Sequence, residues 1–380
     1  MKNTYKVSIM EEEKLMHAVS KKADNDSLRL MRYYHMPDLS RTVDSPLHEI
    51  VKRVTSLLVL KDFDDIDIPE VIPTKILFDL FNFPSNHPAR SKSDTYYVDE
   101  ENVLRTHDTV MWYYYLGLPE IKQKISNNED LGVVCYGKVY RKDEIDRHHM
   151  NIFHQFGGLY LQPDTKGIMS IDELKKVLSQ IVKSIFGEDV KFRFNIDTFP
   201  YTDPSLEVEV EINGKWIEIL GGGMPRKSVL KEFGLEGYNG WAFGFGLERL
   251  AIVSMELPDI RLLWSEDERV KKQLILGNKF KEVSKFPAVV RDISFVVPNS
   301  FIPNDYFDRI REVGEGFVEE VELLDKYENE AKFGAGKLSY TFRITYRHLN
   351  RTLTNSEVND FHSKIEEMTT KEFGGAIRLV

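Results

Sequence analysis

One cysteine in 380 residues, Cys135, is the chain's plainest shortage. A lone thiol excludes an internal disulfide framework and cannot nucleate a Cys-type zinc site, so a reducing, cytoplasmic home is the simplest expectation. Long apolar runs are also missing, and no stretch approaches the roughly 18 uninterrupted apolar residues that a membrane span needs. The opening MKNTYKVSIMEEEKLMHAVS has no apolar core and holds three consecutive glutamates. It reads as neither a secretory signal nor an acid-poor transit peptide, which leaves an organelle reached through a weak signal in residues 1–44 as the alternative compartment. Positive charge is short as well: the formal net charge of -10 argues against nonspecific coating of nucleic acid, though not against a local basic surface for phosphates. Repeats and low-complexity tracts are absent, and no GKS or GKT marks a Walker loop.

The 42% of hydrophobic residues is enough for a sizeable core, and the length allows two or three domains. Residues 1–44 are polar, with helix-compatible stretches at Glu11–Ser20 and Ser27–Tyr34, and read as an N-terminal arm. A helix is expected from Ser45, where SPLHEIVKRVTSLLVL puts Pro in the first turn before apolar residues at helical spacing. From Ile66 to about Ser265, helices mix with β-rich runs. The apolar–acid alternation of Leu206–Ile212 predicts a half-buried strand, and NGK a tight turn into the next. Successive hairpins of this kind predict an antiparallel sheet over a domain at 45–273. Polar residues at Leu274–Phe286 read as a linker. Beyond it the order strand (Val289–Val297), helix (Asn304–Val313), strand (Phe317–Tyr327), strand (Lys337–Tyr346), helix (Thr354–Phe373), strand (Ala376–Val380) is the ferredoxin-like βαββαβ arrangement, over 287–380. The fold class is α+β.

Three segments carry chemistry. In GKVYRKDEIDRHHMNIFHQFGGLYL, residues 137–161, one strand delivers Arg141 and a second returns through Phe153 and Gln155. A fixed guanidinium suits a phosphate and an aromatic opposite suits a purine; a surface salt-bridged hairpin is the plain alternative. In WIEILGGGM, residues 216–224, a strand carrying Glu218 runs into three glycines, which let a ligand approach the backbone or simply make a turn. In NGWAFGFGLERLAI, residues 239–252, a strand passes through Gly244 and Gly246 into a helix carrying Arg249, a plausible phosphate site. His148, His149 and His154 with Cys135 do not converge as zinc ligands.

Taken together, the aromatic–Arg–x–acid and Gly–x–Gly–x–x–Arg patterns fall in the order found in class II aminoacyl-tRNA synthetases. HPARSKSDTYY, LRTH, FPYTDPSLEVEV, LPDIRLLWSEDER, KFPAVVRDISF and FRITYRHLNRTLT narrow the likeness. From Ser45 to Val380 the chain resembles phenylalanyl-tRNA synthetase in its single-chain, mitochondrial-type form. The resemblance implies a class II antiparallel core fused to a ferredoxin-like anticodon-binding domain, working as a monomer. It implies ATP, Mg2+, phenylalanine and tRNA(Phe) as cofactors, substrates and partners, and no membrane. Arg141 would grip the α-phosphate and Arg249 the γ-phosphate, with Phe153 on adenine and His149 near the outer phosphates. His148 and Met150 would complete the nucleotide site, and Glu218 would help place magnesium. Phe199 and Tyr201 would stack on the substrate ring; Ala242 and Phe243 would wall the pocket. His107, Thr109, Gln155, Phe156, Gly157 and Trp112 would complete it, with Gln155 and His107 addressing the polar end. Arg343, Arg347 and Arg351 would contact tRNA, unless they merely cover a sheet edge.

Two departures from the family stand out. Gly157 replaces the acid of FHQ-x-Glu, and after His107 come Asp108, Thr109 and, at a Gln position, Trp112. Asp108 is therefore expected to supply the missing carboxylate, with Gly157 making space for that rearrangement or for Trp112; water filling the gap is the other reading. Trp112 with Tyr113–Tyr115 reads as core packing rather than a base-stacking platform. A paralogue for another aromatic amino acid and a catalytically silent RNA-binding relative are the rival functions.

Overall fold

The computed structural model describes residues 2–283 and 286–378. The chain divides into two compact units: Met1–Arg141, Ile152–Leu257 and Leu274–Lys279 in the first, Lys142–Asn151, Pro258–Gln273 and Phe280–Val380 in the second. Part of the expected linker and the end of the last expected strand lie outside the described residues.

The first unit is built on one large sheet. Its strands are β1 (Thr4–Lys6), β2 (Asp64–Asp67), β5 (Leu131–Tyr140), β6 (Ile152–Pro163), β7 (Phe192–Phe199), β8 (Thr202–Ile212), β9 (Lys215–Pro225) and β10 (Tyr238–Gly246). They lie in the order β1-β2-β5-β6-β10-β9-β8-β7, and a small ribbon pairs β3 (Val71–Pro73) with β4 (Asn102–Leu104). From β5 to β7 every pairing is antiparallel, as the hairpin pattern predicts. The β8–β9 turn is made by Asn213 (φ 52) and Gly214 (φ 77), both left-handed, which suits the right-handed twist of a two-residue hairpin.

β1 and β2 join in parallel, which the sequence does not announce: three residues are too few to show a period. Residues read as an arm thus add a strand and two helices, Met10–Ser20 and Asn25–Tyr34. These bury Met16, Val19, Leu30 and Tyr33 against Val71, Tyr96, Leu104, Tyr140 and Ile152. The helix expected after Ser45 runs Pro46–Thr55, with the Ser45 hydroxyl accepting from the Leu47 N–H at 3.2 Å.

The second unit carries a four-stranded sheet in the order β12-β13-β11-β14, from β11 (Val289–Pro298), β12 (Val318–Glu328), β13 (Lys337–Tyr346) and β14 (Ala376–Arg378). Helices Pro303–Val313 and Asn355–Phe373 complete the βαββαβ order. Ile293, Phe295, Tyr306, Phe342, Tyr346 and Ile365 lie at its core. Thr354 opens the last helix through a reciprocal capping box with Glu357. Thr354→Ala is expected to lower this unit's stability by about 1 kcal/mol, read as a shifted denaturant midpoint at unchanged slope.

Candidate active site

Side chains in a strand alternate between faces, so register decides what can line one site. On β6, Phe153, Gln155 and Gly157 share a face. Their row continues sideways: Gly157 faces Cys135 on β5 and Gly244 on β10, Gly244 faces Gly221 on β9, and Gly221 faces Glu207 on β8. Three neighbouring strands thus present bare backbone. Side chains from the end of β7 and from the helical turn Asp108–Val110 settle onto it. A Cβ on Gly221 would lie 2.8 Å from the Phe199 Cζ, and the three nearest atoms to a Cβ on Gly157 all belong to Asp108.

The residues above this floor form an aromatic box. Phe199 and Tyr201 stack at 6.1 Å, and Tyr201 meets the buried Trp112 edge-on at 6.1 Å. Phe81 lies edge-on to Trp112, Tyr201 and His107, while Phe83 stacks on His107 at 5.6 Å. Phe81 and Phe83 are additions to the expected set; the aromatic cluster FDLFNF was their only signal in the sequence. Burial, then the charge of nearby Arg141, pushes His107 down to about 3 against the opposing Leu77 backbone, so its ring is neutral. Thr109 bonds the Tyr201 hydroxyl, whose titration burial nevertheless raises. The Gln155 amide oxygen accepts from the Asp108 N–H at 3.0 Å, tying strand to loop. Ala242 is on the same face, two residues from Gly244.

Phe156 and Phe243 require a correction. Both fall on the opposite face, where Phe156 stacks in parallel on Tyr136, Phe243 and Phe245, and Phe243 lies beside Trp241. A Cβ on Gly222 there would touch Phe243 and Leu174. Their side chains belong to the layer under helix Ile171–Phe186, on the face away from Gly157, Gly244 and Gly221.

At the nucleotide end, Arg141 follows β5 directly. Its Nε donates to the Thr106 carbonyl at 3.0 Å and its guanidinium carbon lies 5.1 Å from the Phe153 ring centre. Arg249 stands in the first turn of helix Leu247–Met255, which neighbouring Glu248 anchors by accepting from the buried His154 backbone N–H at 2.8 Å. Arg249 lies 3.4 Å from the Glu218 carbonyl oxygen. Burial raises the Glu218 carboxyl, Arg249 opposes this, and Glu207, Asp197 and Glu209 add to it. Among the described residues no group of three His, Cys, Asp or Glu forms a ready-made metal cluster.

His148, His149 and Met150 fall in the second unit. There Asp146 accepts from the His148 and His149 N–H groups at 2.6 and 2.8 Å and pairs with the His149 Nδ1 at 2.7 Å. Burial would raise Asp146, but these bonds outweigh it and hold it at about 2. In the same unit the three arginines expected to meet tRNA each hold a carboxylate: Arg343 with Asp292 at 2.9 Å, Arg347 with Glu319 at 2.5 Å and Arg351 with Glu357 at 2.6 Å. Cys135 is buried, and burial pushes its thiol up to about 12, which makes it inert.

Comparison with known proteins bears on this geometry. Residues 34–274 match the model of the tRNA synthetases class II core domain (F), and residues 284–378 match the ferredoxin-fold anticodon binding domain. The mitochondrial phenylalanine–tRNA ligase of Mus musculus is 36% identical over 346 residues, covering 81% of this chain and 73% of the relative. The chloroplastic/mitochondrial enzyme of Arabidopsis thaliana is 36% identical over 323 residues, covering 82% and 72%. The mitochondrial enzyme of Saccharomyces cerevisiae is 32% identical over 391 residues, covering 81% of each.

Proposed function

The chain belongs to the phenylalanine–tRNA ligase family of class II synthetases, and from that premise we propose that its adenylation centre lies on the glycine-floored face of the core sheet. It activates phenylalanine with ATP and transfers it to tRNA(Phe). Relatives of that name do not favour a paralogue for another amino acid or a silent RNA-binding protein. The observation that carries the placement is the shared face: Phe153 with Arg141 at one end, and Glu218 with Arg249 at the other.

Arg141 grips the α-phosphate, Phe153 stacks on adenine and Arg249 takes the γ-phosphate. The carboxylate of phenylalanine attacks the α-phosphorus in line and pyrophosphate leaves. The tRNA ribose hydroxyl then attacks the adenylate. No covalent enzyme intermediate and no dedicated base is needed, because alignment and compensation of phosphate charge supply the acceleration. His107, Thr109, Gln155, Phe199, Tyr201, Trp112 and Ala242 hold the amino acid, with Phe199 and Tyr201 against its ring. By resemblance to the family alone, His148, His149 and Met150 are assigned to ATP, His149 to its outer phosphates. Arg343, Arg347 and Arg351 meet tRNA by exchanging their acidic partners for phosphates.

Class II chemistry uses a divalent metal, here taken as Mg2+. The residues fit it: the exposed Glu218 carboxyl is crowded by the charges of Glu207, Asp197 and Glu209, a crowding that a hard cation on phosphate oxygens would relieve. Glu218 would help hold such an ion, whose charge would compensate that of the phosphates. We take the enzyme to act as a monomer. The relatives do not support the cytoplasmic expectation; their names favour an organelle. No helix among the described residues is long and apolar enough to cross a membrane.

ATP–pyrophosphate exchange across a panel of amino acids tests the reading: exchange driven by phenylalanine supports it, and exchange only with another amino acid, or none, refutes it. Glu218→Gln is expected to raise the magnesium concentration for half-maximal exchange by about tenfold or more. An unchanged requirement would remove Glu218 from the metal site.

A further inference from the structure

We propose that Asp108, seated on the bare backbone of Gly157 and Gly244, receives the ammonium group of the amino-acid substrate. This rests on the pocket placed above and decides between the two readings of the sequence departures, Asp108 or water.

The first support is an unsatisfied charge. Asp108 is 5% exposed, and its Oδ2 has no hydrogen-bond partner among the described residues. Buried carboxylate oxygens are normally bonded, because stripping water from them is expensive. Of the pocket residues, Asp108 alone carries an acid. The substrate brings the complement, one positive charge with three N–H donors.

The second support is steric. A Cβ built on Gly157 would stand 2.8 Å from the Asp108 Cγ and closer still to Oδ2, contacts that real Cβ atoms essentially never make, and a tight 3.1 Å from Oδ1. Opposite, a Cβ on Gly244 would meet Oδ1 at an ordinary 3.6 Å. Glycine at 157 and aspartate at 108 are therefore a matched pair. The vacated volume holds the Asp108 carboxylate rather than Trp112. An acid has moved from a strand to a loop while staying in the same pocket.

The third support is electrostatic. Burial raises Asp108 to about 7, against the lowering charges of Arg105 and Arg141 and a bond from its own backbone. Cys135 and Tyr201 also interact with it, and its chain neighbour His107 is neutral. A carboxyl that is half protonated near neutrality binds an ammonium only in its ionised fraction. Apparent affinity for the amino acid should thus weaken about tenfold per pH unit below that midpoint and level off above it.

The test is a cycle between Asp108 and the ammonium group, measured by calorimetric titration of the full-length enzyme. Phenylalaninol and 3-phenylpropan-1-ol differ only by that group. The wild type is expected to prefer phenylalaninol by about 10- to 100-fold, as a charge-assisted hydrogen bond implies, and the isosteric Asp108→Asn enzyme to lose the preference. In exchange assays Asp108→Asn should raise the amino-acid KM by a similar factor, leave the ATP KM unchanged and flatten the pH dependence. Gly157→Glu alone should be inactive because two acids collide, whereas Asp108→Thr/Gly157→Glu should recover much of the amino-acid affinity. An undiminished preference in Asp108→Asn, or a retained pH profile, would overturn the proposal. If the wild type drives no exchange with phenylalanine yet keeps the preference that Asp108→Asn loses, the functional reading fails and this assignment stands.

Discussion

Arg141→Ala is expected to cut the rate of phenylalanine-dependent adenylate formation by about 10³-fold while leaving the protein folded. The reaction spreads negative charge over the α-phosphate oxygens as pyrophosphate departs, and a preorganised guanidinium meets that charge without reorganising at the moment of reaction. Arg141 is preorganised by the Thr106 carbonyl on its Nε and the Phe153 ring beside its guanidinium carbon. Being exposed at a strand end, it contributes little to the core. Lysine should restore only part of the loss, because a point charge does not reproduce the planar fork. The same arginine lowers the carboxyl of Asp108, so its removal should also weaken amino-acid binding modestly. Single-turnover formation of the adenylate, followed with saturating ATP and phenylalanine, separates these effects. A loss of less than tenfold at saturation would show that residue 141 does not touch the reacting phosphate.

How far the sequence foretold this site follows from which signals are local. The alternation of Leu206–Ile212, the NG turn and the Ser45 and Thr354 caps involve residues a few positions apart, so their elements form where expected. The same holds for the βαββαβ order of the second unit. Strand β1 was illegible because its partner lies some sixty residues on and three residues carry no period. The misplacement of Phe156 and Phe243 has a different cause. Both follow directly on residues of the glycine-floored face, Gln155 and Ala242, and adjacent strand residues point to opposite faces. Alternation alone was enough to exclude them. The match of Gly157 with Asp108 belongs to a third kind, a contact between strand and loop that spacing cannot reveal. The family likeness exposed the missing acid and offered Asp108 or water in its place; the closeness of the Asp108 carboxylate to Gly157 is what favours Asp108.

Arg105 entered the sequence reading only as part of the LRTH family marker, yet it is expected to carry the largest stability effect in the core. Arg105 is 2% exposed, with its Nε donating to the Lys138 carbonyl at 2.7 Å and an Nη to the Ile68 carbonyl at 3.4 Å. Its other Nη lies where a Cβ on Gly137 would stand, and Gly137 is held at φ +147, so that position must be glycine on two counts. Around the guanidinium are Glu70, which accepts from the Tyr140 hydroxyl and sits 3.2 Å from Lys138, and Glu12, which accepts from the Glu70 N–H at 3.1 Å. Burial and then Glu70 raise Glu12 to about 7, with the Glu70 backbone bond and Arg105 opposing. Arg105→Met leaves the buried Glu12 and the partly buried Glu70 short of a cation and the two carbonyls unbonded, so a loss of about 3–5 kcal/mol is expected. The pH dependence has a definite sign. A carboxyl raised in the folded state stabilises below its unfolded value near 4.5 and loses that contribution as pH rises through its folded value. Losing Arg105 raises Glu12 further, so the deficit of the variant should be smaller at pH 5, where Glu12 is protonated, than at pH 8. Urea midpoints at both pH values measure this. Because Arg105 is also the leading charge that lowers Asp108, the variant should bind phenylalanine more weakly at neutral pH even where it remains folded. A deficit under 1 kcal/mol, or one indifferent to pH, would mean that the acids around Arg105 find their compensation elsewhere.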